Sequence, residues 1–181
     1  ANQNHVKSQY CLGLIYLDKK SKFYDLNKSI FYFSYAAEKN NDIISQYRLG
    51  LIYLENRFVY DINKAIHYFT LAAKQDHALS QEMLGIIYSN NKYFSVNIDF
   101  AIHYATLAAN KNSPSAQTLL GNIYLLSENS HKYADKIIYY YTLAANQNYT
   151  MAQFLLGNIY CENDIVKRDI NKGLYYLKLA A

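Results

Sequence analysis

A period of 36 residues constrains this 181-residue chain more than any other feature it carries. An Ala-Ala pair falls at 36/37, 72/73, 108/109, 144/145 and 180/181. A second landmark appears as Leu12-Gly13-Leu14-Ile15-Tyr16, Leu49-Gly50-Leu51-Ile52-Tyr53 and Leu84-Gly85-Ile86-Ile87-Tyr88. Leu120-Gly121-Asn122-Ile123-Tyr124 and Leu156-Gly157-Asn158-Ile159-Tyr160 complete it. Its glycines are spaced 37, 35, 36 and 36 residues apart, so the slack lies in loops. Repetition at this period is the signature of stacked supersecondary units. One unit cannot bury its apolar face alone, and its neighbours complete the core.

Each period reads as two helices. Helix A opens on a small residue and Gln (Ser8-Gln9, Ser45-Gln46, Ser80-Gln81, Ala116-Gln117, Ala152-Gln153) and runs through the Leu-Gly-x-Ile-Tyr segment. Helix B spans about Asn63 to Lys74 in the second repeat, with Ala65, Ile66, Tyr68, Phe69, Ala72 and Ala73 at helical spacing. Two sets of residues can cap helix B: Asn27, Asn63, Asp99, Asp135 and Asn171, or Asp25, Asp61 and Asp169 two residues earlier. Pro114 precedes the fourth helix A, where its missing N–H costs nothing. Each helix A glycine removes a side chain where helix B can come close, which offsets its cost of about 1 kcal/mol in a helix. One Pro and six Gly leave no room for Pro/Gly-rich linkers or a turn-dense β fold.

Taken together, small-Gln-x-x-Leu-Gly-x-x-Tyr, a loop, Asp-x-x-Lys-Ala, an aromatic pair and Ala-Ala resemble the Sel1-like repeat, a longer relative of the tetratricopeptide repeat. The second repeat carries the pattern best, from Ser45 through Asp61-Ile62-Asn63-Lys64-Ala65 and Tyr68-Phe69 to Ala72-Ala73. The family's Gly-x-Gly-Val loop is absent; Asn56, Asn91 and Asn163 stand nearby, and Asn tolerates a left-handed backbone. The resemblance implies an all-α fold, a right-handed α/α superhelix (solenoid) of about five antiparallel helical hairpins. It also implies an adaptor that binds a partner protein or peptide in a concave groove. Residues 1–181 read as a single array. Ala1 and Ala181 cut the repeat at the same phase and no Met opens the chain, so the array reads as a piece of something longer.

Taking about 100° per residue from each helix A glycine, the repeated residues at −5, −1, +2 and +3 fall between about 200° and 300°. Positions −3, +1 and +4 fall between about 40° and 100°, the face that the resemblance assigns to the groove. The −3 column is Tyr10, Tyr47, Glu82, Thr118 and Phe154; the +1 column is Leu14, Leu51, Ile86, Asn122 and Asn158; the +4 column is Leu17, Leu54, Ser89, Leu125 and Cys161. Aliphatic anchors toward the N-terminal end and amides toward the C-terminal end suit an extended segment or a helix. The competing expectation is that Leu14, Leu51 and Leu54 are simply core. On the groove reading, Leu49→Ala melts the protein, whereas Leu51→Ala and Asn122→Ala weaken a partner and leave the melting temperature nearly unchanged.

Other chemistries find little support. The five histidines form no ligand set; His67 and His103 share a repeat phase that Phe31, Tyr139 and Tyr175 hold elsewhere. No zinc-protease, phosphate-loop or serine-hydrolase motif is present, so no catalytic residue, metal, cofactor or small-molecule substrate is expected. The β-lactam-binding members of the family carry a cysteine pair in each repeat, which this chain lacks. Its two cysteines, Cys11 and Cys161, are expected to be free, semi-buried thiols that suit a reducing compartment. RNA binding is disfavoured, because the tyrosines sit in framework phases and the Lys28, Lys64, Lys136 and Lys172 column is broken by Phe100. A regulatory array fused to an enzyme such as a kinase is the alternative. The net charge of +4 is mild, and no apolar run reaches membrane-span length. A cytoplasmic location is expected, with the secretory pathway as the alternative, because Asn27-Lys28-Ser29 and Asn148-Tyr149-Thr150 match glycosylation sequons.

Overall fold

The computed structural model describes residues 3–90, 96–128, 130–162 and 164–181. Among the described residues it contains ten α-helices and no strand. The A helices are α1 (Gln3–Leu17), α3 (Ile43–Glu55), α5 (Ala78–Ser89), α7 (Pro114–Leu125) and α9 (Thr150–Glu162). The B helices are α2 (Leu26–Lys39), α4 (Ile62–Lys74), α6 (Ile98–Ala109), α8 (Ala134–Ala145) and α10 (Ile170–Ala180). The all-α hairpin pattern expected from the period is therefore what forms.

The helices gather into two compact units, Ala1–Ser80 and Gln81–Ala181. In the first, α1 pairs with α2, α3 pairs with α4, and α2 packs on α3 around Phe33, Ala37, Leu49, Ile52 and Tyr68. In the second, α6 packs on α7, α7 pairs with α8, α8 packs on α9 and α9 pairs with α10. Its core runs from Ala101 and Ala105 through Leu120, Ile123, Ile137 and Tyr141 to Leu156 and Ile159. Each fully buried Leu or Ile contributes about 1.5–3 kcal/mol by leaving water.

The caps decide between the two candidate sets. Asp25, Asp61, Asn97 and Asp169 are the N-caps of α2, α4, α6 and α10, and each side chain accepts the amide three residues on. Asn27, Asn63 and Asn171 lie one residue inside the first turn, and Asp99 and Asp135 also lie within first turns. The earlier set wins because the same residue closes both helices. The Asp25, Asp61, Asn97 and Asp169 amides donate to the Tyr16, Tyr53, Tyr88 and Tyr160 carbonyls, each at 2.9 Å, so the cap ties the end of helix A to the start of helix B. The fourth repeat departs: Tyr133 caps α8 without a side-chain bond, after a 3-10 turn over Ser130–Tyr133. Pro114 sits in the first turn of α7 behind the cap Ser113, as its missing N–H allows.

Left-handed residues occur in the other set of loops. Asn41, Asp76, Asn112 and Asn148 have φ of 53°, 65°, 60° and 60°, each just past the end of a B helix. The next residue donates back to that helix in three of them: Asp42 to Ala36, His77 to Ala72 and Tyr149 to Ala144. Asn56, by contrast, is extended at φ −87°. Asn91 and Asn163 lie outside the described residues.

Most helix A glycines make room for a large side chain of helix B, and at Gly85 and Gly157 the helix B backbone also comes within 3.3 Å of the missing Cβ. A Cβ on Gly13 would stand 2.7 Å from the Phe33 ring, one on Gly50 2.5 Å from Phe69, and one on Gly157 2.5 Å from Leu177. Gly121 faces Tyr141 in the same way, while Gly85 meets Leu119 and both the Cβ and the backbone nitrogen of Ala105. The Gln at −4 has a partner that its recurrence did not reveal. Gln46 and Gln153 donate to the Ala37 and Ala145 carbonyls at the end of the preceding B helix, at 3.3 and 3.2 Å. Gln75 and Gln147 in turn donate to Gln46 and Gln117, at 2.8 and 2.9 Å. These buried amides close the carbonyls that a helix end leaves open.

Candidate partner-binding clefts

The A helices divide their surfaces among three neighbours, and what is left over defines the clefts. The glycine side, at 0°, faces the ring or side chain of its own helix B. The repeated positions between about 200° and 300° are covered in the later repeats: Ser45, Gln46, Leu49 and Ile52 on α3 are buried, as are Leu120, Ile123, Leu156 and Ile159 on α7 and α9. On α1, which no described B helix precedes, the same side is open, with Ile15 exposed.

Among the described residues, open hollows lie along the remaining side of the A helices in each unit. In the first unit, Leu17 and Leu51 meet in a cavity of about 520 Å³ together with Arg48, Ile52 and Glu55. Tyr10 lines a smaller one of about 260 Å³ with Val6 and Ile44. In the second unit, Ile86, Ser89 and Asn122 share a cavity of about 590 Å³ with Leu119 and Leu126. Leu125 and Asn158 share one of about 300 Å³ with Leu155 and Glu162.

Several expected residues, Tyr10 and Asn122 of the cavities among them, also contact the framework. Leu54 and Thr118 are buried, and the Thr118 hydroxyl donates to the Pro114 carbonyl at 2.8 Å. Leu14 is half-buried against the first core. Tyr10 and Tyr47 set their rings against Phe33 and Phe69, with centroids 5.8 and 5.9 Å apart. Glu82 accepts from Ser113 and Ser115. Phe154 is exposed. Asn122 lines its cavity yet also accepts the Tyr141 hydroxyl at 2.5 Å, so Asn122→Ala would orphan a buried phenol and cost about 1–3 kcal/mol, contrary to the neutral effect expected from the sequence. Burial pushes the Tyr141 phenol far above its ordinary range; it takes Tyr68 up to about 12, with help from the hydroxyl's 2.9 Å bond to Glu38.

The open side is broader than the expected face. It takes in the +4 residues Leu17, Ser89 and Leu125 at about 40° and the +1 residues at about 100°, and extends through +5 to −2 at about 160°, whereas Leu54, at +4 on α3, is buried. Arg48, Leu119 and Leu155 at −2, with Glu55, Asn90, Leu126 and Glu162 at +5, are the lining residues that sequence reasoning missed. Their signal was available in part, since the +5 column does not repeat in chemistry and the apolar −2 column is broken at Arg48.

Other surfaces are occupied by contacts of their own. Lys28, Lys64 and Lys172 pair with the cap aspartates Asp25, Asp61 and Asp169 and lie over the Tyr16, Tyr53 and Tyr160 rings. Those rings stack on Tyr32, Tyr68 and Tyr176. The Lys28 amide holds the Asp25 carboxyl below its ordinary value. His67 and His103 are exposed and set edge-on to Tyr68 and Tyr104. Among the described residues no group of three or more His, Cys, Asp or Glu converges on a metal position. Cys11 is exposed rather than semi-buried, and Cys161 is half-buried against Gly173; both are free. No described helix is long and apolar enough to cross a membrane.

Comparison with known proteins places this geometry. The sequence pattern of the Sel1 repeat matches residues 6–41, 43–77, 78–113, 138–149 and 150–181. The gap before residue 138 holds the one hairpin whose B helix lacks a side-chain cap. A Sel1 repeat protein from Oxalobacter formigenes has a similar solved structure, with TM-score 0.78 and 26% identity over 99% of this chain and 74% of that one. A protective antigen of uropathogenic Escherichia coli that displays an SLR fold superposes with TM-score 0.81 and 24% identity, over 99% of this chain and 38% of that one. An immunity protein from Pseudomonas aeruginosa shares the fold at TM-score 0.57 and 18% identity, over 98% of this chain and 68% of its own. No curated protein matches the sequence.

Proposed function

This chain belongs to the Sel1 repeat family, whose members are generally non-catalytic scaffolds, and we propose that it holds a peptide segment of a partner protein against the clefts between its A helices. The observation that carries this reading is the division of labour along each A helix. Repeated residues mostly fill the core, with Ile52, Ile123 and Ile159 also flooring hollows, and the non-repeating columns line the rest of open cavities of about 260 to 590 Å³. The clefts of the first unit offer Leu17 and Leu51, which suit apolar anchors of a peptide; those of the second unit offer, separately, the amides of Asn122 and Asn158, which can bond a peptide backbone.

The test starts from a phage-displayed library of random peptides selected on the wild-type chain. Enriched peptides are then measured against Leu17→Ala, Leu51→Ala and Asn158→Ala, with exposed His67→Ala as the control on a B helix. Loss of binding in the cleft variants alone, with the melting temperature preserved, is the expected result. Peptides that ignore all three cleft variants, or fail only on His67→Ala, would move the binding face to the B helices and sink the proposal.

A further inference from the structure

The A-helix position two residues before each glycine is Cys11, Arg48, Met83, Leu119 and Leu155. Four of the five are sulfur or hydrocarbon side chains, and one is a guanidinium. Arg48 is half-buried on α3 and lines the cavity of about 520 Å³ beside Leu17, Leu51 and Ile52. Its Nε is buried without a protein acceptor. Among the described residues no carboxylate engages it: Asp18, on the same rim, accepts the Lys20 amide at 2.9 Å, and Glu55 is exposed. A buried donor left unmatched destabilises a fold, and the other repeats show that the scaffold accepts an apolar residue at this place. The cost has no return within the framework. Lys19 and Lys20 stand on the same rim, so three cations face two carboxylates.

We infer that this hollow captures an acidic side chain of the bound peptide on Arg48, with a neighbouring aliphatic residue of the peptide seated on Leu17, Leu51 and Ile52. The inference rests on the cleft-binding reading and names the partner's chemistry. The planar guanidinium offers a carboxylate two parallel N–H donors, a charge-assisted arrangement stronger than a neutral hydrogen bond. The aliphatic floor keeps that pair partly out of water, where salt screens it less.

The experiment uses three end-defined peptides as probes and the isotope-labelled chain. The first is Ac-Ala-Leu-Glu-Leu-Ala-amide; the second is its Gln twin; the third is Ac-Ala-Leu-Ala-Leu-Ala with a free C-terminal carboxylate. Binding is followed on the Arg48 Nε–H resonance, assigned with Arg48→Met, and on the Leu17 and Leu51 methyl groups. The Glu peptide should bind at least about tenfold more tightly than the other two. Arg48→Met should erase that preference while leaving the melting temperature equal or higher. A free C-terminus that binds as well as the Glu side chain overturns the assignment, and so does a lowered melting temperature in Arg48→Met, which would make Arg48 structural. Equal shifts by the Glu and Gln peptides at the Leu17 and Leu51 methyls would discard the acidic anchor and leave the cleft standing. Silence of those methyls with all three peptides would discard both.

Discussion

At the scale of single residues, most of the repeat is explained by what each position must not be. The helix A glycine is required where a large side chain of helix B lies over it, and the requirement differs between repeats. A Cβ on Gly50 would stand 2.5 Å from the Phe69 ring, whereas one on Gly85 finds a Leu119 methyl at 3.1 Å and the Ala105 Cβ at 3.3 Å. Alanine gains about 1 kcal/mol over glycine in a helix interior. Overpacking against a fixed ring costs about 1–3 kcal/mol, so Gly50→Ala should be net destabilising. Gly85→Ala should lie within about 0.5 kcal/mol of wild type, because Leu119 can turn away and the helix gain of alanine offsets the milder crowding against Ala105 at 3.3 Å. Urea denaturation of the two variants checks the difference, and equal losses would mean that glycine serves the backbone rather than the ring. The recurring glutamine is the counterpart: it is kept for the carbonyls it closes, which periodicity reveals only as an unexplained repeat.

At the scale of elements, two cap sets were equally legible and only one is used. The difference lies in the amide of the cap residue itself, which reaches the last tyrosine of helix A at 2.9 Å. Asp61→Ala keeps that backbone bond but removes the carboxylate that accepts the Lys64 amide at 3.0 Å, and should cost about 0.5–2 kcal/mol. Asn63→Ala, at an exposed position inside the first turn, should stay within about 0.5 kcal/mol. Thermal unfolding of both variants decides it; a larger loss in Asn63→Ala would contradict the assignment. The left-handed positions teach the same lesson in another loop. Asn41, Asp76, Asn112 and Asn148 recur at intervals of 35 and 36 residues, so they were visible as a column. What hid them was the family's loop, which directed attention to Asn56 instead.

At the scale of the whole molecule, each compact unit carries its own core. Leu49 and Leu120 hold the same repeat phase in different units and are both fully buried. Either Leu→Ala change should remove about 2–5 kcal/mol. Because the stability of a repeat array is a sum of local and nearest-neighbour contributions, the damage should be local. Hydrogen exchange should show Leu49→Ala deprotecting α3 and α4 first, and Leu120→Ala deprotecting α7 and α8 first. Uniform loss of protection across both units in either variant would show a single cooperative block instead.

The helices, their hairpin order and the buried columns were readable from the chain, because burial and helical pitch impose a period that survives in any linear record. The full extent of the open face was not. Two residues about 60° apart on a helix look alike in sequence, and which of them meets solvent depends on where the neighbouring ring comes to rest. That is why Leu51 lines a cleft while Leu54 is buried, and why Asn122 belongs both to a cavity and to the buried hydroxyl of Tyr141. It is also why Arg48, plain in the sequence as the one charge in an apolar column, acquired meaning only when the packing left its Nε without a protein acceptor. Periodicity is a property of the chain, whereas an unmatched donor is a property of the space around it.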